Sequence, residues 1–266
     1  MNSELKAFTF GVVGVTLVLS AILVTVYGAE TGRVVQALAV RTPLLLSGSP
    51  DFSRFEGGFA ANIIISLWAM LIAGITGVAL GIGLIAQSAA VRTPSVLVMN
   101  ILRNSPWLVV LYAMLYLLPF EVDLFGTTFF LSPLVKSVIG LALPVTANIA
   151  EVFRGGVEAI PSGQWESARS LGYRRLQILR HVVVPQAIPF MTPNLMTTYA
   201  MLFIGTSLVV VTGAADVLSV ARTVIASDGA HYATAIYLYV LFLFFIFCFP
   251  IAILTRWLER RVRVRQ

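Results

Sequence analysis

Five long stretches of the chain contain no Asp, Glu, Lys or Arg, and this feature limits its possible folds more than any other. A helix that crosses the hydrocarbon core of a bilayer needs about 20 consecutive, mostly apolar residues. A sixth, weaker stretch is interrupted only by Lys136 near its start. The sequence therefore predicts six membrane-spanning helices, at about residues 7–27, 60–86, 96–118, 133–150, 190–213 and 232–256.

Composition excludes two other classes of protein. Hydrophobic residues make up 58% of the chain and charged residues only 11%, whereas a soluble domain carries about 25% charged residues. Intrinsic disorder needs low hydrophobicity and high net charge, so it is excluded as well. The single cysteine, Cys248, excludes a disulfide framework and a multi-cysteine metal site.

The first span has two interpretations. A cleaved signal peptide has an apolar region of about 7–15 residues, a basic start and a small-residue cleavage site. Here the apolar run is longer, Lys6 is balanced by Glu4, and no clear cleavage site precedes Glu30. We therefore expect a retained membrane-spanning helix, with a signal peptide as the alternative.

The cations predict the orientation, because short cytoplasmic loops of membrane proteins are enriched in Lys and Arg. With six spans and both termini in the cytoplasm, the basic residues concentrate on the inner side. The net charge of +6 therefore indicates membrane lipid and not nucleic acid. The inner segments contain Lys6, Arg92, Arg154, Arg169, Arg174, Arg175, Arg180, Arg256, Arg260, Arg261, Arg263 and Arg265, and the outer segments contain Arg33, Arg41, Arg54, Lys136 and Arg222.

Small residues and prolines inside the spans predict their packing and their shape. Glycines let helices approach closely, and Gly77 and Gly81 have the spacing typical of packed membrane helices. Gly74 and Gly83 are expected to act similarly. Prolines remove a backbone donor and kink a helix. Those within the predicted spans are Pro106, Pro144, Pro189, Pro193 and Pro250.

One inner segment, between Glu151 and Pro189, is long and polar. A helix can begin at Ser162 or Gly163, where Glu166 in the first turn suits the helix dipole. We expect its apolar stripe to contain Trp165, Ala168, Leu171 and Gly172, and a second stripe to contain Leu176, Leu179 and Val183. Gly172 lies between the two pieces, where a helix C-cap or a sharp bend is expected.

Two short helices with an exposed apolar stripe suit either of two environments. They can dock into a groove of another protein. Alternatively, they can lie on the lipid surface, where their arginines would favour anionic headgroups. The physical pattern alone does not choose between these interpretations.

The same segment resembles the "EAA" loop of ABC-importer permeases. The family pattern is E-A-A, three residues, G, nine residues, I-x-L-P. Here it is Glu166-Ser167-Ala168, three residues, Gly172, nine residues and Val182-x-Val184-Pro185. Further segments resemble the polar amino-acid uptake branch, the histidine-, glutamine- and arginine-type permeases: Arg103-Asn104-Ser105-Pro106-Trp107, Ala150-Glu151-Val152-Phe153-Arg154-Gly155-Gly156, Ile160-Pro161-x-Gly163-Gln164, Pro185-Gln186-Ala187 and Thr206-Ser207-Leu208.

This resemblance implies an all-α integral membrane protein with the type I ABC-importer permease fold. It implies a five-span core preceded by an extra N-terminal span, and a cytoplasmic coupling helix. Residues 1–58 would form the extra span and an extracytoplasmic loop, and residues 59–256 the permease domain, with the coupling loop at about 155–187. Residues 257–266 would form a basic cytoplasmic tail. The location implied is the bacterial cytoplasmic (inner) membrane.

The resemblance also implies partners and a division of labour. The partners implied are a second permease subunit, identical or related, two cytosolic ABC ATPases and an extracytoplasmic solute-binding protein. A phosphate-binding loop needs G-x-x-x-x-G-K-[ST], and neither Lys6 nor Lys136 follows a glycine, so ATP and Mg²⁺ are expected on the ATPases. We expect the chain itself to have no catalytic residue and no cofactor. The coupling residues implied are Gly163, Gln164, Glu166, Ala168, Gly172 and Arg174, with Glu166 as a groove contact, Ala168 and Gly172 at close approaches and Arg174 at a polar rim.

Polar residues near the kinked segments are candidates for the substrate pathway. Arg103 can meet a substrate carboxylate or pair with Glu151 near the end of the next span, and the structural pair is favoured because buried ionisable groups are costly. The family usually has Lys-Asp where Ile204-Gly205 stand, and Ala-Tyr where Ala147-Asn148 stand. The candidates for the pathway are Arg103, Asn104, Trp107, Asn148, Thr206 and Ser207.

Other functions remain as alternatives. An ion-gradient-driven transporter or a channel would need buried acids, and Glu151 is the nearest approach to one. A membrane scaffold that only recruits a cytosolic partner would bind without transport. His181 and His231 lack neighbours at metal-ligand spacing, so no metal site is predicted.

Overall fold

A computed structural model describes residues 2–124 and 126–263 of the chain. Nearly all of them are helical, with one short β-hairpin. This description does not include Arg265 or the side chains of Lys6, Arg261 and Arg263. The part of the orientation prediction that rests on these residues therefore lies outside the described residues. The helices are α1 (Asn2–Tyr27), α2 (Thr31–Ser47), α3 (Gly58–Leu84), α4 (Ala89–Asn104), α5 (Trp107–Leu117), α6 (Pro133–Glu158), α7 (Ser162–Ser170), α8 (Arg175–Ile178), α9 (Val184–Gly205), α10 (Val217–Asp228) and α11 (Ala233–Arg263).

The prediction of an all-α membrane protein is confirmed. Within the described residues, five helical segments are long and apolar enough to cross a bilayer, or six if α4 and α5 together count as one span. Each overlaps one of the six predicted spans, although the first continues to Ser47, the fifth begins at Arg175 and α6 continues eight residues beyond the predicted end at 150. Which compartment each end of the bundle faces stays a prediction.

Helix α6 is the centre of the bundle, since it is the most buried span and packs against α3, α4, α5 and α9. Its contact with α3 depends on glycine: a Cβ on Gly77 would lie 2.7 Å from Ile149 Cβ, and one on Gly81 would lie 2.8 Å from Phe153 Cδ1. This confirms the close approach predicted for both. Outside its own helix, no described residue of this chain lies within 4 Å of a Cβ built on Gly74, so Gly74 makes no such approach within the chain.

The predicted span 96–118 is in fact two helices that meet at 101°. Ser105 and Pro106 are extended between α4 and α5, because a residue before proline is driven out of the helical region. Proline was expected only to kink this span. Helix α5 packs along α6, so α4 runs across the bundle instead of along it.

The end of the bundle next to the hairpin, here the hairpin end, contains an unexpected buried cation. Strands β1 (Glu121–Leu124) and β2 (Thr127–Phe130) pair antiparallel, with Glu121 opposite Phe130. Lys136 is fully buried, and its Nζ donates to Leu115 O at 3.2 Å and Leu118 O at 2.7 Å. The ammonium group also lies 3.3 Å from the ring centre of Phe120. Lys136 therefore caps the last turn of α5.

Residues 28–58 do not form the predicted loop. A short 3₁₀ turn, Gly28–Glu30, leads into α2, and only residues 48–57 are irregular. Arg41 of α2 donates to both carboxylate oxygens of Asp228 in α10, with Nε 2.8 Å from Oδ2. Tyr27 Oη donates to His231 O at 2.8 Å. The N-terminal helices are thus fixed to α10 and to the start of α11.

Candidate coupling loop and solute pathway

The loop that follows α6 folds as two short helices, as predicted. Helix α7 ends in a Schellman turn, in which Tyr173 N donates to Ala168 O at 3.1 Å and Gly172 N donates to Arg169 O at 2.9 Å. Gly172 has φ +82°, a left-handed conformation that residues with a Cβ rarely adopt. Nothing lies within 4 Å of a Cβ built there. The backbone conformation thus favours glycine here, and the close approach of Gly172 to an ATPase stays a prediction.

The second helix leads directly into α9 through a π-helix, Leu179–Val183. Gln177 Oε1 accepts from the Arg174 N–H at 2.8 Å and so caps the start of α8. Ile178, Leu179 and Val183 are buried. Leu176, which was placed on the same stripe, is 71% exposed. The predicted stripe therefore holds for Leu179 and Val183, within the π-helix, and fails for Leu176, which lies before it.

The predicted stripe on α7 is also divided between two surfaces. Ala168 is 4% exposed and packs with Ile178 and Val183, while Trp165 is half-buried in the same cluster. Leu171 is 78% exposed instead. The apolar surface that remains, here the tip surface, consists of Leu171, Tyr173 and Leu176, and surrounds Gly172. Sequence reasoning missed Tyr173, although its place beside the predicted bend was a signal.

The remaining coupling candidates lie on the solvent side of this loop. Gly163, Gln164, Glu166 and Arg174 are all exposed. Gln164 Oε1 accepts from Gln186 Nε2 at 3.3 Å, which ties α7 to α9.

A different arginine holds the loop to the bundle. Arg175 Nη2 donates to Ile85 O at 2.8 Å, just past the end of α3, and its guanidinium lies 5.5 Å from the Trp165 ring centre. Arg174 was assigned to a polar rim contact with the ATPase, and that role stays a prediction. Arg175 is the residue that connects the loop to α3.

Glu151 has two arginine partners. Arg103 Nη1 lies 3.8 Å from Glu151 Oε1, so the structure brings together the two residues considered as an ion pair. Arg154 is closer, with Nη2 2.6 Å from Glu151 Oε1, and its Nη1 also lies 2.8 Å from Glu158 Oε2. Sequence reasoning missed Arg154, although its spacing of three residues from Glu151 on one helix was a usable signal.

The candidate pathway residues are in different environments. Asn148 is half-buried and lies one turn before Glu151 on α6, so it shares the neighbourhood of Arg103. Asn104 is exposed, and its Nδ2 donates to Asn100 O at 2.8 Å. Ser207 is half-buried on the 3₁₀ segment Thr206–Thr212.

Thr206 is fully buried, which differs from the expectation for a residue that lines a pathway. Its Oγ1 donates to Phe203 O at 2.6 Å and accepts from Asn62 Nδ2 at 3.0 Å. Asn62 Oδ1 accepts in turn from Val217 N at 3.0 Å. These contacts join α3, α9 and α10. Asn62 was missed because a single polar residue in an apolar span gives no sign of its partner.

A cavity of about 700 Å³ opens at the other end of the bundle, here the α7 end. It lies between the ends of α3, α4 and α6 and the helices α7 and α8. We call it the basic cavity, after its charged and aromatic lining residues Arg92, Glu151, Arg154, Glu158, Trp165 and Arg175.

Comparison with known proteins gives a family match and several relatives. Residues 73–264 match the family described as "Binding-protein-dependent transport system inner membrane component", which leaves α1 and α2 outside the match. The chain is 32% identical over 243 residues to the inner membrane amino-acid ABC transporter permease protein YhdY of Escherichia coli (strain K12). That match covers 86% of this chain and 65% of YhdY.

A second relative and a solved structure agree with this match. The chain is 32% identical over 252 residues to the glutamate/glutamine/aspartate/asparagine transport system permease protein BztC of Rhodobacter capsulatus, covering 94% of this chain and 56% of BztC. It therefore spans less than two thirds of either relative. The crystal structure of an amino acid ABC transporter with histidines superposes with a TM-score of 0.68 at 23% identity, over 85% of this chain and 97% of that one, which shows a common fold.

Proposed function

Because the chain belongs to the family of binding-protein-dependent transport system inner membrane components, we propose that it is the permease subunit of an ATP-driven importer. It is a multi-pass inner-membrane permease with the type I importer fold. The proposed solutes are polar amino acids or related small polar molecules, since YhdY and BztC carry amino-acid transport in their names. The observation that carries the proposal is the tip surface, an exposed apolar group on the one loop that matches the coupling motif.

The tip surface is the proposed docking site for a cytosolic ATPase. Leu171, Tyr173 and Leu176 are exposed together around the Gly172 turn, and Arg169 and Arg174 flank them. Apolar side chains with a charged rim are typical of a helix that inserts into a groove. Glu166, Gly163 and Gln164 would contact the ATPase beside this surface, whereas the buried Ala168 would support the loop from within.

The contacts of the loop give it a mechanical connection to the bundle. Arg175 joins it to the end of α3, and the π-helix passes without a break into α9. Movement of docked ATPases would therefore shift α3 and α9 together. Such a shift between two packings is the usual basis of alternating access. ATP and Mg²⁺ would bind to the ATPases and not to this chain.

The proposed solute pathway passes the polar side chains near the α4–α5 bend. Arg103, Asn148 and Glu151 share one neighbourhood, and Asn104, Trp107 and Ser207 lie at the ends of α4, α5 and α9. The buried Thr206 would hold the wall of the pathway and would not contact solute. A second permease subunit, identical or related, would complete the enclosure, and a solute-binding protein would deliver the solute at the hairpin end.

The proposed orientation places both termini and the α7 end in the cytoplasm. An ion-gradient mechanism is the alternative, and it needs an acid that is free to bind the coupling ion. Glu151 is instead engaged by Arg154 and Arg103. This contact favours the ATP-driven mechanism.

Site-specific cross-linking tests the docking site. With Cys248→Ser as background, Leu171→Cys or Leu176→Cys is expected to cross-link in native membranes to a protein with a phosphate-binding loop, identified by mass spectrometry. Leu117→Cys, which is 76% exposed near the hairpin end, is the matched control and should not form this product. Uptake should stop with vanadate and persist with a protonophore. The opposite inhibitor pattern, or cross-links from Leu117→Cys alone, would contradict the proposal.

A further inference from the structure

The basic cavity contains more positive charge than its acids neutralise. Arg154 binds Glu151 and Glu158 at once, with Nη2 2.6 Å from Glu151 Oε1 and Nη1 2.8 Å from Glu158 Oε2. Both carboxylates of the lining are therefore already engaged. Within the described part of the chain, Arg92 and Arg175 have no carboxylate partner. Two guanidinium groups thus line the same cavity without a counter-ion.

These groups are available to a ligand to different degrees. The side chain of Arg92 makes no hydrogen bond to the described residues and is exposed. Arg175 uses Nη2 for Ile85 O and has donors left on Nε and Nη1. Ser162 at the start of α7 adds a hydroxyl group to the lining. Guanidinium and hydroxyl donors around one space suit the oxygens of a phosphate group.

We propose that the basic cavity binds the phosphate of an anionic phospholipid headgroup. The same phosphate chemistry could come from a soluble phosphate ion, but the rest of the lining favours lipid. Leu84, Val96 and Met99 form an apolar wall. Trp165 is a residue type that concentrates at the level of the headgroups in membrane proteins.

Helix α4 supplies the place for the acyl chains. Val96 follows Arg92 by four residues, so both side chains lie on the cavity face of α4, and Val96 is 39% exposed. The helix leaves α5 at 101°, so it runs across the spanning helices, as an interfacial helix does. A lipid in the cavity could therefore place its phosphate between Arg92 and Arg175 and its chains along α4. A soluble phosphate would leave this apolar surface uncovered.

This inference requires only that the chain lies in a membrane, and it does not depend on the proposed transport. Its test therefore has no transport readout. The purified protein in a neutral detergent is titrated with phosphatidylglycerol, phosphatidylcholine, glycerol phosphate or inorganic phosphate. Lipid binding is followed by native mass spectrometry and by the melting temperature.

Phosphatidylglycerol is expected to bind and to raise the melting temperature, and the other three are expected to do neither. Arg92→Gln should weaken phosphatidylglycerol binding about fivefold, the contribution of one arginine near an anionic surface. Arg92→Lys should retain most of the binding, since lysine binds phosphate as a point charge. Arg169→Gln, on α7 outside the lining, is the matched control. The Arg92 side chain has no hydrogen bond to the described residues, so these variants should fold normally.

Three results would overturn the proposal. The first is equal binding of phosphatidylglycerol and phosphatidylcholine. The second is an equal loss of phosphatidylglycerol binding in Arg169→Gln and Arg92→Gln, which would indicate general surface charge. The third is stabilisation by inorganic phosphate or glycerol phosphate as large as that by the lipid, which would assign the cavity to a soluble anion.

Discussion

Trp107, the first residue of α5, lies against Gly205, the last residue of α9, so closely that a Cβ on Gly205 would be 2.4 Å from Trp107 Cζ3. This contact joins the short helix beyond the bend to the span that continues from the coupling loop. The family usually has Asp at the position of Gly205. The indole thus fills space that a side chain at this position would need.

Replacing Gly205 by alanine should displace the Trp107 ring. Overpacking of a close contact costs about 1–3 kcal/mol of unfolding free energy, so the melting temperature should fall and solute uptake should change. Gly74→Ala is the control, because its Cβ has no neighbour within 4 Å and alanine favours a helix. Equal melting temperatures and unchanged uptake in both variants would show that the contact has no role.

The turn at Gly172 gives a prediction about coupling. Gly172→Val forces a β-branched residue into a left-handed conformation, at a cost of about 1–2 kcal/mol, and should reduce ATP-dependent uptake several-fold while the protein still inserts. Asparagine tolerates this conformation, so Gly172→Asn should retain most of the uptake. Uptake in vesicles with the partner ATPase measures both. Normal uptake by Gly172→Val would mean that the turn is not part of the coupling path.

Asp216 caps α10 while fully buried: Oδ1 accepts from Ser219 N at 3.0 Å and Oδ2 from Leu218 N at 3.2 Å. Burial raises the pKa of this carboxyl group above its usual value. Its contribution to stability is thus full below the unfolded-state pKa of about 3.9 and is lost as pH rises through the folded-state pKa.

An amide at position 216 removes the group whose charged form is disfavoured by burial. Asp216→Asn keeps one of the two acceptor oxygens of the cap and should melt above Asp216→Ala, which loses both acceptors and about 1 kcal/mol. If the asparagine variant melts as low as the alanine variant, the charge itself is required.

The pair between Arg41 and Asp228 predicts the opposite pH dependence. The hydrogen bond from Arg41 lowers the pKa of Asp228 below its usual value. The stability it contributes is present above the unfolded-state pKa of about 3.9 and is lost as pH falls through the folded-state pKa. The protection factors of the α2 amides, which are corrected for the intrinsic pH dependence of exchange, should fall in acid, and Asp228→Asn should lower them at neutral pH.

The contribution of the Arg41–Asp228 pair to the free energy of unfolding should be small, at most about 1 kcal/mol, since both side chains are partly exposed. The exposed pair Arg54–Glu56, 3.6 Å apart, offers a control: Glu56→Gln should leave exchange in α2 unchanged. Protection of α2 that is independent of pH in the native protein would contradict the prediction.

The sequence predicts the spans and the Gly172 turn well because each rests on local information. Apolar length identifies a span, and glycine between two amphipathic pieces identifies a helix end. Thr206 and Lys136 were misjudged for the opposite reason. Thr206 pairs with the side chain of Asn62, 144 residues earlier in the chain, and Lys136 pairs with the backbone carbonyl of Leu118. Composition and periodicity predict neither partner.

Helix α2 and Leu176 show two further limits. Helix α2 contains Arg33, Arg41 and Pro43, so its local pattern resembles a loop, and its packing against α3 and α10 stabilises it as a helix. Leu176 was placed on one stripe with Leu179 and Val183, whereas the buried face of α8 is that of Ile178. Neither effect can be read from a single stretch of sequence.

The bend after Asn104 leaves α5 with only 11 residues. At about 1.5 Å per residue this helix is about 16 Å long, roughly half of a hydrocarbon core of about 30 Å. Along this side of the molecule, α5 alone therefore covers only about half of the hydrocarbon core. The buried side chain of Lys136 holds the far end of α5 through Leu115 O and Leu118 O, so it would limit any sideways displacement of this short helix.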